Sequence, residues 1–187
     1  MSDPGLPTKD NASRLLRLRW TVRKYLPDII FGANDGVITT LAVVSGVVGA
    51  ALSTPVILIL GFANLLADGF SMGASNVLSR RSDTQKEVPT LANATYHGVA
   101  TFVGFVVVGV IPLLAYLLPL FEPNRFASAT SLGLAALFAV GAGRAFFTRR
   151  GWLASGLEML LIGTLAVLVA YGVGALGATV VSRFGYG

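Results

Sequence analysis

An all-α integral membrane bundle of five transmembrane helices is what the sequence predicts, and three observations carry that prediction. Apolar residues fill 54% of the 187 positions and charged residues only 12%, about half the charge of a soluble domain. The apolar residues gather in five runs, each long enough to cross a hydrocarbon core of ~30 Å, which takes roughly 20 helical residues. The 14 Lys and Arg residues sort onto the two sides of the resulting hairpins as twelve against two. Inside a bilayer the backbone must satisfy its own hydrogen bonds, so these runs read as helices.

The first 27 residues are basic but hold no apolar core followed by a small-residue cleavage site, so they do not read as a signal peptide. Within them, Asn11–Leu26 carries Leu15, Leu18 and Val22 at helical spacing among Arg14, Arg17, Arg19, Arg23 and Lys24. That pattern predicts a basic amphipathic helix on the cytoplasmic membrane surface; the alternative is a frayed tail. The chain thus divides into a cytoplasmic amphipathic segment, 1–27, and a five-helix transmembrane domain, 28–187.

The spans are expected near Ile29–Leu52, Pro55–Leu78, Ala94–Leu120, Ser128–Phe147 and Trp152–Val181. Asp28, after Pro27, reads as the cap of the first. Only Ser53 and Thr54 separate the first two, and Pro55 suits a helix start, so a tight antiparallel hairpin follows. The fifth is long and Gly-rich, and its outer end is expected to kink or unwind. The positive-inside rule sets orientation. Lys9, Arg14, Arg17, Arg19, Arg23, Lys24, Arg80, Arg81, Lys86, Arg144, Arg149 and Arg150 lie on one side, Arg125 and Arg183 on the other. The N-terminus is therefore expected in the cytoplasm and the C-terminus outside.

Ionisable residues inside a bilayer persist where they face a cavity, a partner or an ion path. Asp35, Asp68, Glu158 and Arg144 lie within the expected spans, and His97 lies near the start of the third. Asp35 and Glu158 each sit about six residues from the cytoplasmic end of their spans, or ~9 Å deep at the helical rise. Met72 shares that layer, with Asp68 one turn deeper. Asn64, Asp68 and Met72 recur every four residues and so line one helix face. Asn34 adds an amide beside Asp35, and Asn76 extends the stripe toward the cytoplasm. Carboxylate and amide oxygens with one thioether suit Fe²⁺ or Mn²⁺ better than Mg²⁺ or Ca²⁺, which prefer oxygen alone. Asp35, Asp68, Met72, Asn64, Glu158 and Asn34 are therefore the candidate metal ligands, the ion being cargo and no resident cofactor being expected. Carboxylates that take up protons as the metal leaves would give metal–proton exchange.

Plainer roles compete for the same residues. Asp68 can pair with Arg144, Glu158 with Arg149 or Arg150, and Met72 can simply fill a gap. His97 reads first as a satisfied interfacial residue. Ala42, Gly46 and Ala50 on the first span, and Gly69 and Gly73 on the second, form small-residue faces that pack against a neighbour in the bundle or a second protomer. Gly32 and Gly36, flanking Asp35, offer a helix that loosens around an ion.

The chain has no Cys, which excludes disulfides and thiolate metal sites. Its net charge of +5 sits beside apolar spans, where it serves topology and anionic lipid, so the lipid bilayer and not nucleic acid is the expected contact. No activated nucleophile, phosphate loop or carboxylate–histidine cluster outside the membrane suggests an enzyme.

Phe31–Ala50 (FGANDGVITTLAVVSGVVGA) and Gly61–Ser79 (GFANLLADGFSMGASNVLS) together resemble the vacuolar iron transporter family, exporters of Fe²⁺ and Mn²⁺ from the cytosol. Gly109–Leu118 and Ser155–Gly174 look like that family's third and fifth helices. The resemblance covers most of the chain from Phe31 onward. It implies five helices per protomer, a homodimer, a metal path lined by the first two helices, and export driven by proton antiport. Asp35 matches the family's first-helix aspartate and Met72 its second-helix methionine. Two departures stand out. Plant and parasite members carry a Glu where this chain has Asn64, and Asp68 is placed to supply the missing charge. Those members also insert a long Glu- and Met-rich cytoplasmic domain between spans two and three, where this chain has only Arg80–Asn93; other short members lack it too. That absence leaves Fe²⁺ and Mn²⁺ close to equal as substrates.

The function expected is thus a secondary transporter exporting Fe²⁺ or Mn²⁺. The alternatives are a proton-coupled exporter of another small cation and a non-transporting metal sensor or scaffold. Ala- and Gly-rich composition points to a bacterial inner (plasma) membrane; a eukaryotic source would mean a vacuolar-type membrane.

Overall fold

The computed structural model describes residues 9–83, 88–145 and 151–184, with side chains from Arg23 onward. The described residues form helices α1 (Lys9–Gly49), α2 (Thr54–Ser82), α3 (Leu91–Gly109), the short α4 (Leu114–Leu117), α5 (Arg125–Arg144) and α6 (Trp152–Arg183), and no strand. Five segments are long and apolar enough to cross a membrane: Arg23–Gly49, Thr54–Ser82, Leu91–Leu117, Arg125–Arg144 and Trp152–Arg183. The chain is an integral membrane bundle of five helices. The end where α1 enters the span, α2 finishes and α3 begins is called here the basic end, and the other the far end.

The outer surface, unlike that of a soluble protein, is apolar. α1 and α3 are the most enclosed spans, and α1 packs against α2, α3, α5 and α6. Outward faces carry large apolar side chains such as Phe70, Leu161, Val173 and Leu176, all exposed, because a hydrocarbon solvent receives them without penalty. Two buried clusters fill the middle. Val44, Val47, Ile57, Leu113, Tyr116 and Ala129 join the far ends of α1, α2 and α5. Val37, Leu41, Leu137, Met159 and Val167 join α1 to α5 and α6.

Glycines set the closest approaches. A Cβ on Gly32 or Gly36 would overlap the backbone carbonyl of Thr101 or Phe105, and one on Gly104 the carbonyl of Ile29. The α1 and α3 backbones are thus in direct contact. The glycines beside Asp35 serve this packing in an unbroken helix; they do not loosen it. On α2, Gly73 faces Gly98, whose carbonyl would lie 2.8 Å from an added Cβ, and Gly69 meets Phe102 and Phe105. Gly46 and Gly49 meet α6 at Gly174, Ala170 and Tyr171. The small-residue faces of both first spans are therefore used within the chain, as interhelical packing in lipid favours.

Three elements differ from expectation. The amphipathic segment and first span form one continuous helix from Lys9, running through Pro27. Pro27 leaves the Arg23 carbonyl without its helical donor, but both positions are exposed, and headgroup water at this end can replace the bond. The third span is broken: α3 ends at Gly109, a 3₁₀ turn follows over Ile111–Leu113, and α4 closes at Leu117. Pro112 lacks an N–H and its ring would strike the Val108 carbonyl in a continued α-helix. The fifth span, despite its glycines, stays helical to Arg183, with Gly174 seated on the α1 backbone. The expected pairing partners Arg149 and Arg150 lie outside the described residues.

The α1–α2 hairpin is as tight as two linking residues predict. Ala51 takes a left-handed conformation (φ 55°), and the Leu52 amide bonds the Val47 carbonyl at 3.1 Å, the six-to-one bond of a Schellman ending. Pro at the start of α2 then turns the chain back.

Candidate functional site

Two polar stripes face one another along the groove between α1 and α2. On α1, Asp28 and Asp35 are seven residues apart and so nearly on one face. On α2, Asn64, Asp68, Met72, Asn76 and Arg80 repeat every four residues and form a single line. Asp35, Asp68, Met72 and Asn64 are all half-buried. The charge of Asp68 acts on Asp35 across the groove. The Nδ2 of Asn64 and the Oδ1 of Asn34 are buried with no hydrogen-bond partner. The free atom of Asn34 is an acceptor with lone pairs available; that of Asn64 is a donor, and its amide would have to turn over to meet a cation.

The six candidate ligands are divided by the fold. Asp35 and Asp68 are brought together. Met72 lies farther toward the basic end, lining a cleft of about 410 Å³ with Pro27, Asp28, Phe31, Ser75, Asn76 and Ser79. Asn34 and Glu158 lie on the opposite flank of α1. There Asn34 lines a second cleft with Ile30, Val140, Arg144 and Met159, and Glu158 sits 3.6 Å from the Arg144 guanidinium. The alternative that paired Asp68 with Arg144 is thereby corrected: Arg144 belongs to the α5–α6 side. Among the described residues no group of three or more His, Asp or Glu side chains is placed to hold a metal ion. A site on this groove must add thioether, amide or water to the Asp35–Asp68 pair.

The most connected polar cluster surrounds a residue that sequence reasoning assigned elsewhere. Asp28 does not cap a helix; it lies inside α1 and is 6% exposed. Its Oδ1 accepts from Asn76 Nδ2 and Arg80 Nη2, both at 2.8 Å. Its Oδ2 lies 2.6 Å from His97 Nδ1 on α3. A carboxylate oxygen accepts, so the imidazole donates from Nδ1. Asn76 spends its remaining valences on Thr101, donating at 2.6 Å, and on Arg80, accepting from Nε at 2.9 Å. Thr101 donates onward to the His97 carbonyl at 3.2 Å, and the Tyr25 ring lies 4.7 Å from the imidazole. No side-chain atom of Asp28, Asn76, His97 or Thr101 is buried without a partner, as burial demands. It joins α1, α2 and α3 at the basic end, two turns from Asp35. His97 is thus a satisfied residue, as its first reading held. The seven-residue spacing from Asp35 is the one signal that puts Asp28 on the groove.

Comparison with known proteins bears on this arrangement. The model of the VIT family matches residues 26–94 and 83–175. A vacuolar iron transporter of Toxoplasma gondii is 41% identical over 63 residues, covering 34% of this chain and 21% of the relative. This chain thus matches about a fifth of the parasite relative's length. A rice protein named vacuolar iron transporter homolog 1 is 29% identical over 171 residues, covering 80% of this chain and 72% of the relative. A vacuolar iron transporter of Centaurea cyanus is 22% identical over an alignment of 234 positions, covering 92% of this chain and 96% of the relative. That alignment is longer than the 187 residues of this chain, so the relative carries residues that this chain lacks. The family match divides where α2 gives way to α3.

Proposed function

We propose, from the premise that this chain belongs to the VIT family, that it is a secondary transporter exporting Fe²⁺ or Mn²⁺ from the cytosol in exchange for protons. The observation that carries this reading is the Asp35–Asp68 pair, two half-buried carboxylates on neighbouring spans, near enough for the charge of one to act on the other. Two like charges in a span are costly unless a cation or protons neutralise them. A divalent ion satisfies both at once, and protons replace it when it leaves. Met72, nearer the basic end of the same stripe, supplies the thioether that favours Fe²⁺ and Mn²⁺ over harder ions. Asn64 and Asn34 complete the polar environment, while Glu158 acts through its contact with Arg144. A homodimer rests on the resemblance to the family. Names of relatives support iron as cargo; Mn²⁺, direction and proton coupling rest on donor chemistry and the positive-inside charge pattern.

The test is uptake into proteoliposomes, with Fe²⁺ and Mn²⁺ offered separately under an imposed pH gradient. Metal-dependent proton movement is expected for the wild type and its loss for Asp35→Ala. Wild-type protein shown to be inserted and folded, yet moving neither ion, would overturn transport in favour of a sensor or scaffold.

A further inference from the structure

The α2 stripe ends in a cation. Arg80 follows Asn76 by one turn at the basic end of the groove that leads to Asp35 and Asp68. A fixed positive charge at the mouth of a cation path should repel the cargo. Here that charge is bound to Asp28, whose carboxylate lines the cleft of Met72, Ser75, Asn76 and Ser79. The two partners differ sharply in freedom: the Asp28 side chain is 7% exposed, the Arg80 side chain 39%. Asp28 is also held by His97 and Asn76, so it keeps its position if Arg80 leaves. Among the described residues Arg80 has its contacts to Asp28 and Asn76 to give up, and solvent to swing into.

We infer that Arg80 is a tethered competitor for the cargo at Asp28: the guanidinium occupies the carboxylate while the mouth is empty, and an incoming divalent cation displaces it. The exchange never leaves a buried carboxylate without a positive partner, the state that is most costly in a low-dielectric interior. Once the cation moves inward, Arg80 returns and closes the way back. This inference rests on the transport reading and adds to it a residue that sets apparent affinity without touching the Asp35–Asp68 pair.

Mn²⁺ serves as the probe, in two measurements on the full chain: transport KM in proteoliposomes, and binding to detergent-purified protein by loss of the free-ion paramagnetic signal. Arg80→Gln is expected to lower both KM and the dissociation constant roughly two- to fivefold, the range of a half-exposed ion pair. Arg80→Lys, a point charge unable to hold Asp28 and Asn76 together, should fall between wild type and Arg80→Gln. If Arg80→Gln does not fold, the direction of the Arg80→Lys shift decides. Unchanged or weakened Mn²⁺ binding in folded variants, with only a lower melting temperature, makes Arg80 a structural clamp and overturns the inference. Wild-type protein that transports nothing but binds Mn²⁺ more weakly than Arg80→Gln would overturn the transport reading and leave the competitor standing.

Discussion

Asp35 and Asp28 show how far single residues could be read. Asp35 stands out in the sequence because a carboxylate deep in an apolar run has few bland explanations. Asp68 followed from its four-residue spacing to Met72 and Asn64, and in the fold its charge acts on Asp35. Asp28 was not legible: beside Pro27, at the apparent start of an apolar run, it has every local mark of a cap. Only the helical extension back to Lys9 turns it into an interior residue, and only tertiary structure brings His97 to it across 69 residues. Glu158 was grouped with Asp35 by depth, and Asn34 by its place next to Asp35 in the chain. Depth fixes a layer but not an azimuth, and both face the far flank of α1. At this scale the transport reading makes a sharp demand on Asp68. Asp68→Asn keeps shape and removes the charge, so metal flux in proteoliposomes should drop to the level of empty vesicles. Flux at the wild-type rate would remove Asp68 from the path.

Element boundaries divide similarly. Span number and approximate limits follow from bilayer thickness, so α2, α5 and α6 lie close to expectation. The continuity of α1 and the break after α3 both turn on proline, whose effect depends on what surrounds it. Pro27 is exposed and tolerated, whereas Pro112 is buried and rewinds the chain. Small-residue stripes announced close helix contacts but not their partners, because a glycine face on α1 suits α3, α6 or a second protomer equally. The structure gives Gly36 to the α3 backbone. Gly36→Val therefore forces two backbones apart and should cost more than the roughly 1–3 kcal/mol of ordinary core overpacking, read as loss of monodisperse protein in detergent. Gly172→Ala, whose Cβ would meet nothing within 4 Å, should purify like the wild type.

For the molecule as a whole, orientation rests on the charge split, and the absence of Cys makes it directly testable. Ser53→Cys, in the α1–α2 hairpin, should react with an impermeant thiol reagent from the non-cytosolic side only. Ser82→Cys, at the end of α2, should react from the cytosolic side only; the reverse pattern would invert every statement of direction. The overall bundle was legible because lipid leaves so few alternatives to helices, whereas the knot of α1, α2 and α3 at the basic end was not. That knot also bears on how the chain is born. Asp28 leaves the ribosome well before its partners: Asn76 is 48 residues behind, Arg80 52 and His97 69. At roughly 5–20 residues per second the last arrives about 3–14 s later. Until then the nascent first helix carries Asp28 unpaired near its basic end and Asp35 within the span, where a carboxylate costs up to about 2.5–3.5 kcal/mol at the helix centre on the insertion scale. It is a poor candidate to leave the translocon alone, and its release into lipid should wait for the third helix to be synthesised.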